Sequence, residues 1–204
     1  MGTTPYPQTL ESHSCLLIVA LSDTEIGKVI LPSKLVWVNT ETGKPFDLFN
    51  ENPTVQSEAT ALQYANSIND LMPRFIRKQT WQTKDGKEHD MLVMERLYPL
   101  PIHHFDLSVR TGMVADFEVK FEALHDGHFV HGDLVRPTNP FNRGDLAWMF
   151  SNVVQTEGSL RLIDAGFSAI LQKNNVKEFV HTLFRERNEI KYFRSYYLSE
   201  ILDE

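Results

Sequence analysis

The sequence predicts an α+β protein of two lobes, a β-rich N-lobe and a reduced helical C-lobe. Three observations lead there. Short runs rich in β-branched and aromatic residues, broken by turn chemistry, fill most of the first half. A proline-stiffened connector, Tyr98 to Pro101, follows them. Beyond it, apolar residues recur at helical spacing, and two apolar runs each deliver an aspartate, Asp133 or Asp164, to the point where the run ends. The expected divisions are a flexible arm over 1–14, an N-lobe of antiparallel sheet plus one helix over 15–98, and a minimal C-lobe over 99–204.

The arm is polar and carries two prolines, Pro5 and Pro7. CLLIVAL from Cys15, KVIL from Lys28, KLVWVN from Lys34 and KPFDLF from Lys44 read as strands, with turns at Ser22 to Gly27, Pro32-Ser33 and Thr40 to Gly43. Asn52-Pro53-Thr54 opens a helix whose apolar face holds Val55, Ala59 and Leu62, which places Glu58 in its first turns and ends it before Pro73. RFIRKQTWQT and EHDMLVMERL form a hairpin about Asp85-Gly86. After the connector, Thr111 is expected to cap a helix with Val114, Phe117, Phe121 and Leu124 on one face and Gly127 at its end. Residues from Lys177 to Glu204 read as one or two helices rich in aromatics and charge.

Composition narrows the function classes. With 42% hydrophobic residues in 204, a core of domain size is available. The single Cys15 excludes an internal disulfide framework and implies a reducing compartment with a buried, unreactive thiol. The apolar run at Cys15 to Leu21 is too short to span a bilayer and lacks signal-peptide flanks, so a soluble chain without a membrane partner is expected. With 20 Lys plus Arg against 27 Asp plus Glu, the net charge of −7 argues against nucleic acid as a partner, because phosphate backbones demand clustered cations. Any nucleotide bound is expected to be small and metal-complexed.

HGDL at His131 to Leu134 resembles the catalytic loop of the protein-kinase-like fold, and LIDAG at Leu162 to Gly166 resembles its metal-binding strand. The order upstream agrees: a small β lobe, a helix bearing Glu58, a strand ending in VMERL like the hinge strand, and a helix leading into the loop. The resemblance covers residues 20–170 and implies an atypical, minimal kinase using ATP and Mg²⁺, with a protein or small-molecule hydroxyl as acceptor. Phosphoryl transfer needs an acid beside the incoming hydroxyl and another holding magnesium on the phosphates. The resemblance assigns these roles to Asp133 as base and to Asp164 with Asn152 as metal ligands, and makes His131 a structural support. Thr138 stands where the motif's metal asparagine belongs; Asn152 is preferred because Asn152-Val153-Val154 looks like the start of the strand that follows that asparagine. Residues 135–151 then become an insertion, whose Trp148, Met149 and Phe150 are expected to pack against the lobe. Glu58, Lys34 and Glu95 are the candidates for nucleotide and phosphate binding.

Several positions depart from the family pattern. Gly132 replaces the arginine of His-Arg-Asp, which removes regulation through a phosphorylated activation loop. Neither KLVWVN nor KPFDLF supplies the lysine that pairs with the helix glutamate: Asn39 or Phe49 occupies its place, with Trp37 or Asp47 at the small-residue position against adenine. Lys34, Lys28 or Lys44 is the substitute. Gly27 is the only glycine between Gly2 and Gly43, so no glycine-rich phosphate loop is present. The segment after Gly166 is too short for a full C-lobe, which makes the chain similar in size to the short kinase effectors that some bacteria inject into host cells; a cytoplasmic location, or delivery into a host, follows.

Two other classes compete. A pseudokinase would keep the fold as a protein-interaction module without transfer, as the missing lysine and glycines imply. A metal-dependent hydrolase would use His125, His128 and His131, which stand three apart beside Asp126 and Asp133.

Overall fold

The structure is a computed structural model that describes residues 7–12, 16–31, 54–135 and 150–199. Its first half is one antiparallel sheet of five strands, β1 (Gln8–Ser12), β2 (Leu16–Ala20), β3 (Glu25–Ile30), β4 (Phe75–Gln82) and β5 (Glu88–Glu95), in the order β1-β2-β3-β5-β4. Helix α1 (Val55–Ile68) packs beneath it. The second half is helical, with α2 (Leu107–Asp126) and α3 (Val176–Tyr197) around two small ladders. In one ladder β6 (Phe129–Val130) pairs with β9 (Ala169–Ile170); in the other β7 (Val153–Thr156) pairs with β8 (Ser159–Leu162). The α+β class and the order of β half before helical half are therefore as the sequence predicts.

Strand β1 forms inside the segment expected as a loose arm. Its residues pair with β2, in the register Gln8 with Ala20 and Ser12 with Leu17, because a ladder is built from backbone groups and an edge strand needs no apolar side chains. Strand β3 is longer than KVIL. The turn after β2 is confined to Ser22 to Thr24, and Gly27 lies within the strand, where a Cβ would come 2.5 Å from Met91 Sδ. A larger residue there would have to displace the flexible Met91 thioether, so the glycine sits in close packing inside a strand where the sequence reads as a turn. The hairpin across Thr40 to Gly43, with Trp37, Asn39, Asp47 and Phe49, lies outside the described residues, as does Cys15.

Helix α1 begins where expected. The Thr54 hydroxyl accepts from Ser57 N and the Ser57 hydroxyl accepts from Thr54 N, each at 3.0 Å, so two amides without helical partners are satisfied reciprocally. Three alanines on its buried side, Ala59, Ala61 and Ala65, let the helix lie close to its neighbours. The β4–β5 hairpin turns at Gly86 with φ 81°, a conformation that favours glycine.

Helix α2 starts one turn before the expected cap. Asp106 Oδ1 accepts from Val109 N at 2.9 Å, whereas Thr111 sits inside the helix and donates to Leu107 O. Gly127 ends it as predicted, but the left-handed residue is the next one, His128 at φ 63°. Gly127 is small because α1 crosses there. A Cβ would meet Ile68 Cδ1 at 2.5 Å, and its carbonyl accepts from the Tyr64 hydroxyl at 2.8 Å.

One apolar cluster runs through both halves. It joins Val55, Ala59 and Leu62 of α1 and Leu92 of β5 to Phe117 and Phe121 of α2, Leu160 of β8, and Phe193 and Tyr197 of α3. Phe150 stacks on Tyr196 with centroids 5.5 Å apart, so this end of the 135–151 segment packs against the helical half as expected; residues 136–149 lie outside the described set.

Candidate functional site

The site is built where the sheet's inner face meets α1 and the loop after β8. Ile26, Lys28 and Ile30 alternate onto one face of β3, and Ile30 packs into the shared core. Lys28 therefore points inward, where it is 8% exposed and its Nζ lies 2.9 Å from Glu58 Oε1 and 2.7 Å from Asp164 Oδ1. The lysine absent from both anticipated strands is thus supplied by a third. It stands in mid-strand rather than at a strand end. Lys34, the sequence's candidate for phosphate binding, lies outside the described residues.

Charge balance follows from the geometry. Burial alone would lower the Lys28 pKa, but the Glu58 and Asp164 carboxylates more than offset it and hold the amine well above the usual lysine range. Burial likewise acts to raise Asp164, and the adjacent Lys28 overrides it, leaving the carboxyl at about 2. Glu58, 1% exposed, is pushed upward by burial against the pull of Lys28. The result at neutral pH is a fixed cation beside an ionised Asp164 whose side chain is 30% exposed.

Asp164 takes a left-handed backbone, φ 64° and ψ 78°, and its side chain accepts from Gly166 N at 3.2 Å. Such a conformation costs a non-glycine residue about 1 kcal/mol or more and marks a loop held by its surroundings. His131 provides part of that hold, donating Nε2–H to Ile163 O at 2.9 Å. Ser168 Oγ returns a bond to His131 O at 3.1 Å. His131 thus ties its own loop to the residue just before Asp164.

Asp133 lies between this loop and Asn152. The Asn152 amide donates through Nδ2 to Asp133 O at 2.7 Å and to Asp133 Oδ2 at 3.0 Å. Asn152 is 2% exposed and immediately precedes the β7–β8 hairpin, in which Val153 lies opposite Leu162 and only Glu157 and Gly158 form the turn. The structure therefore gathers Lys28, Glu58 and Asp164 into one cluster and Asp133 with Asn152 into a second, joined by His131.

Glu95 is not part of either cluster. It lies three residues along β5 from Leu92, the partner of Lys28, and its carboxylate accepts from Arg161 Nη2 at 2.9 Å and from Arg74 N at 3.0 Å. Its side chain is a strut between β5 and β8. The three histidines of the hydrolase reading are also separated: His125 is buried against Glu186, His131 is bonded to Ile163 O, and His128 is exposed. Among the described residues no group of three or more His, Cys, Asp or Glu side chains is placed to hold a metal ion. A magnesium site of the kinase kind asks instead for one ionised carboxylate and an amide oxygen, the donor set that Asp164 and Asn152 offer.

Sequence reasoning misses the residues beneath the loop. Gly132 N donates to Glu186 Oε1 at 2.5 Å, and Gly132 O accepts from Arg185 Nη2 at 2.6 Å. Both partners are consecutive residues of α3. Glu186 is wholly buried and its other oxygen meets His125 Nε2 at 2.9 Å. The signal that could have found it is that Glu186 falls in the helical stripe of Phe179, Thr182, Phe193 and Tyr197, all buried.

No protein-family model matches the chain, and no curated protein matches its sequence. Among solved structures it is similar to the kinase PK-1 of the Cydia pomonella granulovirus, with a TM-score of 0.50 and 13% identity, over 80% of this chain. The match spans 51% of that viral protein, so the chain corresponds to about half its length. At this identity the likeness concerns the fold, and the fold it shows is kinase-like.

Proposed function

We propose that the protein is a minimal phosphotransferase that moves the γ-phosphoryl group of ATP to a hydroxyl, most simply that of a protein substrate. The observation that carries the reading is the contact of Lys28 with both Glu58 and Asp164. A lysine buried on the inner face of a sheet and matched by two carboxylates from different elements is costly to assemble, because each charge must be desolvated. The cluster is well suited to phosphate: an incoming anion can take over from Asp164 one arm of the lysine, which frees the carboxylate for a cation on the same phosphate. Magnesium, when bound by Asp164 and Asn152, supplies charge neutralisation on the phosphate oxygens.

The remaining steps belong to the chain. Asp133 accepts the proton of the acceptor hydroxyl as its oxygen attacks phosphorus; the bond from phosphorus to the bridging oxygen breaks and its electron pair leaves with ADP. Asn152 holds Asp133 through Oδ2, which fixes the orientation in which the carboxylate meets the hydroxyl. Glu58 keeps the Lys28 amine in place beside Asp164.

The pseudokinase reading draws on two absences, and Lys28 offers to fill one of them. The other persists: β1 and β2 are joined by His13-Ser14-Cys15, which contain no glycine. Incubation with γ-labelled ATP and magnesium, with and without a generic protein acceptor, tests the proposal. Label transfer that vanishes in Asp133→Asn and Asp164→Ala is the expected result. Absence of label together with no thermal shift by ATP-magnesium sinks it, and a thermal shift without label favours the pseudokinase.

A further inference from the structure

Helices α2 and α3 lie side by side and antiparallel. Arg187 of α3 pairs with Glu122 of α2, and Arg194, further along α3, pairs at 2.7 Å with Glu118, further back along α2. Their inner sides are committed to the core, through Phe117 and Phe121 from α2 and Phe179 and Phe193 from α3. Their outer sides are bare. On α3, Val180 and Phe184 stand one turn apart on the side away from the core, with Phe184 64% exposed; on α2, Val119 is 71% exposed. The charges around these residues divide by helix. Every exposed charge of α2 is an anion: Asp116, which also pairs with Lys120 at 2.9 Å, Glu122 and Asp126. The exposed charges of α3 are the cations Lys177, Arg187, Lys191 and Arg194 against Glu178 alone. One outer face is acidic about Val119 and its neighbour is basic about Phe184, on a chain whose net charge is −7.

We propose that these outer faces are the interface of a homodimer, in which α3 of each copy packs on α2 of the other in a layer of four helices. A two-fold axis running along the helices brings the basic face of one copy onto the acidic face of the second, and the same contact forms twice. The second copy's α2 covers Val180 and Phe184, and its α3 covers Val119. A lipid surface or an acidic protein would answer only the α3 half, with the anions of α2 left facing it; a second copy answers both halves at once. Pairing α3 with α3 would set cations against cations. Helices of this length span about 30 Å and pack about 10 Å apart, so the two faces offer about 600 Å² per copy. Counted over both copies, that is at the low end of what a specific interface buries, which predicts association in the micromolar range. The interface uses neither Asp133 nor Asp164 and stands whether or not the protein transfers phosphate.

Sedimentation velocity of the full chain, run from about 1 to about 200 μM, covers the range that such an interface predicts. The mass is expected to rise from 23.5 kDa toward twice that value, and less steeply at high salt, where the attraction is screened. Phe184→Asp is expected to hold the chain monomeric. Charge exchange tests the arrangement itself. Lys177→Glu/Lys191→Glu turns the basic face acidic, and Asp116→Lys/Asp126→Lys turns the acidic face basic, so each variant alone should be monomeric. Mixed, they should dimerise again, because each offers the face that the other has lost. All five side chains are exposed, and circular dichroism checks that each variant keeps the fold. Wild type that stays monomeric throughout overturns the proposal, and pelleting of that monomer with phosphatidylserine vesicles would assign the face to a lipid surface. A dimer that persists in both charge variants, or a mixture that stays monomeric, overturns it equally.

Discussion

Lys28 and Glu58 meet at 2.9 Å with both side chains removed from water, 8% and 1% exposed, across a gap of thirty positions in the chain. Removing one member of such a pair leaves the other charge without compensation, which costs about 3–5 kcal/mol. Lys28→Met is therefore expected to lower the thermal midpoint by several degrees and to abolish the shift given by ATP-magnesium. Lys28→Met/Glu58→Gln should recover much of the stability and none of the nucleotide response. Differential scanning fluorimetry of the two variants checks both halves of the statement.

Asp164 sets an acid limit on stability. Its carboxyl titrates at about 2 in the fold, below the ordinary aspartate value near 4. A depressed carboxylate contributes stability that is fully present above its unfolded pKa and is lost as pH falls through the folded one. Urea midpoints measured in steps from pH 6 downward should thus decline between about pH 4 and pH 2. Asp164→Asn is expected to flatten that decline, and an equal slope in the variant would assign the acid sensitivity elsewhere.

Glu189 acts in the opposite sense. Its carboxyl is raised to about 7, so the folded protein binds a proton that the unfolded chain has released between about pH 4.5 and pH 7. Stability should fall as pH rises through this window. Glu189→Gln removes the loss, and the variant's advantage over wild type should be larger at pH 8 than at pH 5 in the same urea experiment.

Gly132 is the position at which introducing the arginine of the His-Arg-Asp pattern is expected to fail. Gly132→Arg recreates His-Arg-Asp, yet the side chain would begin 2.1 Å from the Phe167 carbonyl at a positive φ. Strain and overpacking together cost on the order of 3 kcal/mol. Circular dichroism melting should show Gly132→Ala and Gly132→Arg both destabilised, the alanine nearly as much as the arginine, because the clash starts at Cβ. A fully stable Gly132→Arg would show that the loop can be rebuilt.

The features readable in the sequence are local ones. The helix start at Asn52-Pro53-Thr54, the turn at Asp85-Gly86, and the two aspartates at the ends of apolar runs each declare themselves within a few residues, and in the structure Thr54, Gly86 and Asp164 stand at a cap, a turn and a loop. Lys28 is harder to place because Gly27 looks like a turn, while in the fold it lies inside a strand and packs against Met91, on a strand more than sixty residues away. The alternation Ile26, Lys28, Ile30 is the overlooked clue: a lysine in the inward register of a strand needs partners. Strand β1 is hidden by its polar composition, since backbone pairing leaves no hydrophobic signature. Arg185 and Glu186 are hidden for another reason. Charged residues on a late helix ordinarily face water, and only the folded arrangement shows which of them reach the loop.

The apolar cluster that passes from α1 and β5 into α2, β8 and α3 has a consequence for how the molecule comes apart. The largest part of the core is lost from both halves when either melts, because Leu62 and Leu92 share it with Phe117, Leu160 and Phe193, while only small clusters about Val19 and Met91 and about Val130 and Phe179 belong to one half alone. Unfolding should then be a single cooperative event, and cutting the chain at the connector Tyr98 to Pro101 would yield two fragments that each expose a severed hydrophobic face rather than two stable modules. The two halves are distinct in secondary structure but share most of their interior.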